Sequence, residues 1–166
     1  MMKRNNFPFS AVLGLNHAKT AILVVLVNPR AGGLLISGPR GIGKSTLMRS
    51  TQELIERPWR DIPVSITEDR LFGTIDTEKA IYSGQKKLYP GIINEADQGV
   101  LYLDDVNLLR EDLLDSILDI AEVGMYQLER DGLSLRCDTS FTVIAAINPE
   151  SGMLSGACLD QFGLFV

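Results

Sequence analysis

One histidine, one tryptophan and two cysteines among 166 residues exclude several kinds of chemistry at the outset. Cys137 and Cys158 are too few for a disulfide framework, so two free thiols in a reducing compartment are expected. His17 stands alone on an expected helix and reads as a packing or surface residue ahead of a metal ligand. Long apolar runs are missing too. The longest, residues 21–27, falls far short of the ~20 residues that span a bilayer. Residues 1–10 have no apolar core before a small-residue cleavage site, so no secretory leader is expected. No membrane contact and a cytoplasmic (cytosolic or stromal) location follow as expectations. What remains is ordinary: 45% apolar and 22% charged residues, the composition of one soluble domain rather than a disordered or collagen-like chain.

The net charge of −5 is unevenly spread. Residues 1–60 carry nine lysines and arginines against two acids, whereas residues 61–166 carry seven against nineteen. A basic first third suits a phosphate-binding face or a subunit contact. Its cations are scattered and no aromatics are interleaved among them, which places nucleic acid well below phosphate as a partner.

Short apolar strands alternate with helical stretches, the pattern of a parallel α/β sheet. Helices are expected over residues 17–27, 44–57 and 108–123. The last has an apolar stripe at Leu109, Leu113, Ile117, Ile120 and Ala121. Strands are expected over 34–37, 63–66, 100–103 and 141–147, and another begins at residue 164. Runs at 125–129 and 133–136 flank Arg130-Asp131-Gly132, a hairpin signal. Trp59, beside Arg57 and Arg60, is expected to cap a helix end against the core.

Gly38-Pro39-Arg40-Gly41-Ile42-Gly43-Lys44-Ser45 satisfies G-x-x-x-x-G-K-[ST] between an expected strand and an expected helix. Glycines let the backbone wrap a phosphate with its N–H groups inward, and the helix N-terminus favours negative charge. Residues Gly38 to Thr46 (Gly38, Pro39, Arg40, Gly41, Ile42, Gly43, Lys44, Ser45, Thr46) are therefore candidate ATP contacts. Lys44 would reach the β- and γ-phosphates, and the Ser45 hydroxyl would bind Mg²⁺. Such a site needs an acid at the end of a neighbouring strand. Asp104 supplies it as a magnesium ligand, and Asp105 would orient or deprotonate the attacking water. Asn148, after the strand at 141–147, could hydrogen-bond the γ-phosphate or position the water. Asn148-Pro149 reads equally as a turn initiator.

Further motifs narrow the choice: Phe9-Ser10-Ala11-Val12-Leu13-Gly14, Thr67-Glu68-Asp69-Arg70-Leu71-Phe72-Gly73-Thr74-Ile75-Asp76, Tyr89-Pro90-Gly91, Leu101-Tyr102-Leu103-Asp104-Asp105-Val106-Asn107-Leu108-Leu109, Glu129-Arg130-Asp131-Gly132 and Asn148-Pro149-Glu150. Together with the phosphate loop they resemble the ATPase (I) subunit of magnesium chelatase, an AAA+ family. The resemblance implies a P-loop three-layer sandwich with a central parallel sheet and β-hairpin insertions. It implies that Asn148 is the sensor-1 residue and that residues 9–14 lie near the adenine. Residues 67–90 would be an insertion in the second helix, and 124–140 the hairpin before sensor 1. The family forms homo- or hetero-hexameric rings in which Mg·ATP hydrolysis drives Mg²⁺ into protoporphyrin IX, with other chelatase subunits as partners. No residue pattern here signals a porphyrin site, and cobalt and nickel chelatases use similar motors. Residues 1–166 are read as the ATPase core, a piece expected to stop before its last strand completes and before a helical lid.

Two positions depart from the family pattern. Asp105 stands where a glutamate is usual, drawing the carboxylate back by roughly one C–C bond, and reacting groups are sensitive to small misplacements. Gln161, in Asp160-Gln161-Phe162-Gly163, stands where an arginine finger is usual, a group typically worth ~10³–10⁵ in rate. A hydrolysis-poor switch or scaffold subunit is therefore the alternative, beside a chaperone-like AAA+ ATPase that remodels a metalloenzyme. Asp69 and Arg70 are candidates for an interface.

Overall fold

A computed structural model describes residues 7–75, 88–130 and 132–166. Five parallel strands form the central sheet in the order β2-β5-β8-β1-β9. They are β1 (Leu34–Ser37), β2 (Trp59–Ile62), β5 (Val100–Leu103), β8 (Thr142–Ile147) and β9 (Leu164–Phe165). The register pairs Leu34 with Ile144 and Leu164, and Val100 with Thr142 and Trp59. Side chains alternate across these strands, so Leu34, Ile36, Val100, Tyr102, Ile144 and Ala146 enter one core, while Leu35, Leu101, Leu103, Val143, Ala145 and Ile147 enter the other. Burial on both faces is why the strands read as continuous apolar runs.

The first core is roofed by α1 (Asn16–Val27) and α2 (Lys44–Thr51). Ala18, Ala21, Ile22, Val25 and Leu26 of α1 recur at helical spacing and are buried, whereas His17 is exposed. The second core lies under α4 (Ile92–Glu95) and α5 (Glu111–Val123). Glu111 and Asp112 in the first turn of α5 complement its dipole, and Gly124 ends it in a left-handed conformation. Of the expected stripe, Leu109 precedes the helix, Leu113, Ile117 and Ile120 are buried, and Ala121 is half-buried. Both cysteines are free and buried. The Cys158 thiol donates to Asp115 Oδ1 at 3.0 Å, and burial raises its pKa.

Two small antiparallel pairs project from this sandwich. The first joins β3 (Gly73–Ile75), after α3 (Glu68–Phe72), to β4 (Leu88–Pro90); the intervening part of the 67–90 segment lies outside the described residues. The second is the expected hairpin, β6 (Met125–Arg130) with β7 (Leu133–Asp138), whose turn residue Asp131 is also outside them. Tyr126 ties the two together, its hydroxyl shared between Phe72 O (2.7 Å) and Asn94 Oδ1 (2.6 Å). Arg70 lies 3.9 Å from Glu95 Oε1.

Three expectations are corrected. The second strand is Trp59–Ile62 rather than 63–66; Pro63 has no N–H for a ladder, and Trp59 and Ile62 are the residues that bury. Trp59 consequently sits in a strand, packed on Tyr102 at 6.0 Å and donating from Nε1 to Asp61, and caps no helix. Helix α2 stops at Thr51 and tightens into a 3-10 turn, Gln52–Leu54, instead of running to residue 57. Among the described residues, no helix is long and apolar enough to cross a membrane.

The segment holding Gln161 is locked onto the loop before β1. Gly163 N–H donates to Gly32 O at 2.7 Å, and a Cβ on Gly163 would lie 1.7 Å from Ala31 O. No rotamer relieves a clash with backbone. Gly163→Ala should therefore lose about 2–3 kcal/mol, as overpacking does, read as a lower urea midpoint; an unchanged midpoint would show this contact is not tight.

Candidate nucleotide-binding site

The carboxyl ends of β1, β5 and β8 lie side by side, and β5 and β8 hand the chain to Asp104 and Asn148 beside the start of the glycine-rich loop that follows β1. From β1 the backbone turns at Gly38, whose N–H donates to Ile147 O at 3.2 Å. Gly43 then adopts φ +96°, a left-handed conformation that side chains resist, and starts α2 with Lys44 as its first helical residue. Lys44 is 7% exposed. Its ammonium reaches back over the loop and donates to Gly38 O (2.5 Å) and Pro39 O (2.9 Å). A buried cation and the first amides of a helix thus share one concave turn, an arrangement suited to a phosphate chain.

Fifty-nine residues apart in sequence, Ser45 and Asp104 meet: Ser45 Oγ donates to Asp104 Oδ2 at 2.9 Å. Both offer hard oxygen atoms. Among the described residues no group of three or more His, Cys, Asp or Glu could hold a metal. One hydroxyl and one carboxylate fit Mg²⁺, which is usually held by one or two protein oxygens plus substrate phosphates rather than by a protein cage.

Asp105 departs from β5 with φ +48° and ψ +49°, strained for a residue with a side chain. Its Oδ2 lies 3.8 Å from Arg40 Nη2, with both groups partly exposed, so the pair contributes at most ~1 kcal/mol. Asn148 is 1% exposed. Its Oδ1 accepts from Glu150 N–H (3.2 Å) and its Nδ2 donates to Ser151 Oγ (3.1 Å), so the turn-initiating reading is realised in full. The same strand end places Asn148 beside the phosphate loop, because Ile147 pairs with Ser37.

The N-terminal segment borders this edge. Residues Phe9–Ala11 form a 3-10 turn, Lys19 donates to Val12 O, and Lys19 Nζ stands 5.8 Å from the centre of the Phe9 ring. The Leu15 side chain comes within 4.0 Å of where a Cβ on Gly43 would be. Gln161 is exposed at the end of α6 (Gly156–Asp160).

Two polar residues escaped sequence reasoning. Tyr102 is 6% exposed and its hydroxyl has no hydrogen-bond partner; such a group costs roughly 1–3 kcal/mol. Burial first, and the Asp104 charge next, raise its pKa far above that of an ordinary phenol. Asn107, in the turn after Asp105, buries its amide oxygen and nitrogen without partners, facing Gly152. The available signal was Tyr102's place two residues before Asp104, since alternate residues of a strand share a face.

A family model described as "AAA domain (dynein-related subfamily)" matches residues 33–161, from just before β1 to Gln161. The chain belongs to this AAA family. As an AAA domain, its five-stranded parallel sheet and phosphate loop are the AAA+ P-loop fold. Similarity to magnesium-chelatase subunits extends over nearly all of it. It is 38% identical to the magnesium-chelatase subunit ChlI of Olisthodiscus luteus, with 95% of this chain and 55% of that protein covered. It is 37% identical to the magnesium-chelatase 38 kDa subunit of Cereibacter sphaeroides, with 96% and 58% covered. A chain in a cryo-electron microscopy complex between subunits BchI and BchD of magnesium chelatase superposes with a TM-score of 0.85. That chain is 35% identical, with 98% of this AAA chain and 62% of its own length covered. The AAA chain thus spans little more than half the length of these curated relatives.

Proposed function

We propose that this chain is the ATP-binding core of a chelatase-type AAA+ motor, in which Mg·ATP turnover drives metal insertion into a tetrapyrrole. The observation that carries the reading is the Ser45–Asp104 hydrogen bond at 2.9 Å, made by the residue that follows the buried Lys44 at the start of α2. Lys44 would exchange its bonds to loop carbonyls for phosphate oxygens, which are stronger acceptors because they are charged. Ser45 and Asp104 would hold Mg²⁺, which when bound neutralises charge on the β- and γ-phosphate oxygens. Asp105 would take a proton from, or orient, the attacking water. Asn148 Nδ2 has a second hydrogen to offer the γ-phosphate while its first stays on Ser151. Ring-forming AAA+ subunits and other chelatase subunits are the proposed partners.

Gln161 favours a second reading, a subunit that binds ATP and hydrolyses it slowly. Its neutral amide lies where the resemblance expects an arginine acting on a neighbour's nucleotide, and it is exposed enough to reach one. Both readings require nucleotide. Calorimetric titration of the chain with ATP should therefore show binding that Mg²⁺ tightens at least about tenfold, the worth of one charge-assisted contact. Silence in both conditions removes both readings.

A further inference from the structure

Besides Lys44, the phosphate loop carries another cation, Arg40, at its turn. Arg40 lies between Pro39, whose ring fixes its own φ, and Gly41, which adopts φ +85°. The Pro39 carbonyl is held in turn by the Lys44 ammonium at 2.9 Å. From this anchored stretch the Arg40 guanidinium crosses to the turn after β5, where its Nη2 lies 3.8 Å from Asp105 Oδ2. We propose that Arg40 is an arginine supplied in cis to read the γ-phosphate, leaving Asp105 for that phosphate when ATP binds and so making the site prefer ATP to ADP. The proposal rests on the nucleotide-site reading and deepens it.

The contact with Asp105 is made to be given up. A separation of 3.8 Å is longer than a hydrogen bond, so the attraction is ionic and the guanidinium keeps its N–H donors for another acceptor. The two side chains are 67% and 35% exposed, where solvent screening leaves such a pair weak. A terminal phosphate offers more charge than one carboxylate, and its oxygens match the paired N–H groups of a guanidinium. The place is right as well. A carboxylate that orients the attacking water stands next to the γ-phosphate, and a cation paired with that carboxylate stands there too. ADP ends at the β-phosphate, which the loop amides and Lys44 serve, so it gives Arg40 little reason to leave Asp105. With ATP, the exchange also frees the Asp105 carboxylate for the water.

The test uses the whole chain, Arg40→Ala, Asp105→Asn and the double variant, each titrated calorimetrically with ATPγS and with ADP in magnesium chloride. Arg40→Ala should lose about five- to twentyfold in ATPγS affinity while ADP affinity stays within about twofold of wild type. Asp105→Asn releases the guanidinium in advance. It should tighten ATPγS about two- to fivefold when Arg40 is present, and should give no such gain when position 40 is alanine. Arg40→Lys should recover only part of the preference for ATPγS, because an ammonium lacks the planar fork that pairs with phosphate oxygens. The melting temperature without nucleotide should hardly change, since the Arg40 side chain is mostly exposed. Equal losses for ATPγS and ADP overturn the proposal, because general charge attraction would produce them; undiminished affinity for both does so too. An Asp105→Asn gain of the same size in both backgrounds also overturns it, since that is relief of carboxylate repulsion without Arg40. If wild type itself gives no heat with either nucleotide, the nucleotide reading fails first and takes this proposal with it, which is a distinct result.

Discussion

Lys44→Ala is expected to weaken ATP binding by ~10²–10⁴-fold, the ~3–5 kcal/mol typical of deleting one partner of a buried charge pair. The melting transition should stay close to wild type. Lys44 is 7% exposed and donates only to two carbonyls of its own loop, so its loss loosens the turn at Gly38 and Pro39 without opening either core. Calorimetry with Mg·ATP and a circular-dichroism melt separate these effects. Undiminished affinity would take the phosphate loop out of the site, and a melt collapsed by many degrees would make Lys44 a structural residue.

Gln161→Arg should raise ATP turnover by ~10²-fold or more, a part of the ~10³–10⁵ an arginine finger supplies. The gain should appear only where chains associate, because the new guanidinium acts on a neighbour. Position 161 is exposed, and its backbone is held by Phe162 in the core and by Gly163 against Ala31. The substitution therefore changes the group offered and leaves its support alone. Steady-state phosphate release over a range of protein concentrations reads the outcome. A wild-type rate already equal to the variant's would show that Gln161 is no deficiency, and would remove the second reading, a subunit that hydrolyses ATP slowly.

Much of this was visible in the order of residues. Strands β1, β5 and β8 announce themselves because burial on both faces leaves mainly apolar side chains there, with Ser37 and Thr142 only at strand ends. The phosphate loop is equally legible, since backbone geometry forces its glycines to fixed spacings. The strand at Trp59–Ile62 was not, because its middle residues Arg60 and Asp61 are exposed at a sheet edge and break the apolar run. The early end of α2 was hidden for a related reason: nothing from Gln52 to Glu56 is a strong breaker, and the helix yields to the turn that feeds β2.

The linear chain therefore settles which groups exist for binding phosphate: a glycine-bent loop, one ammonium, one hydroxyl and a pair of acids. Only packing decides which of them meet. Ser45 reaches Asp104 because β8 holds β1 and β5 on either side of it at a common register, a non-local arrangement no short window encodes. Tyr102 becomes an orphaned donor rather than an ordinary core aromatic for the same reason, since a hydroxyl's partners are set by what the sheet and α2 bring within reach.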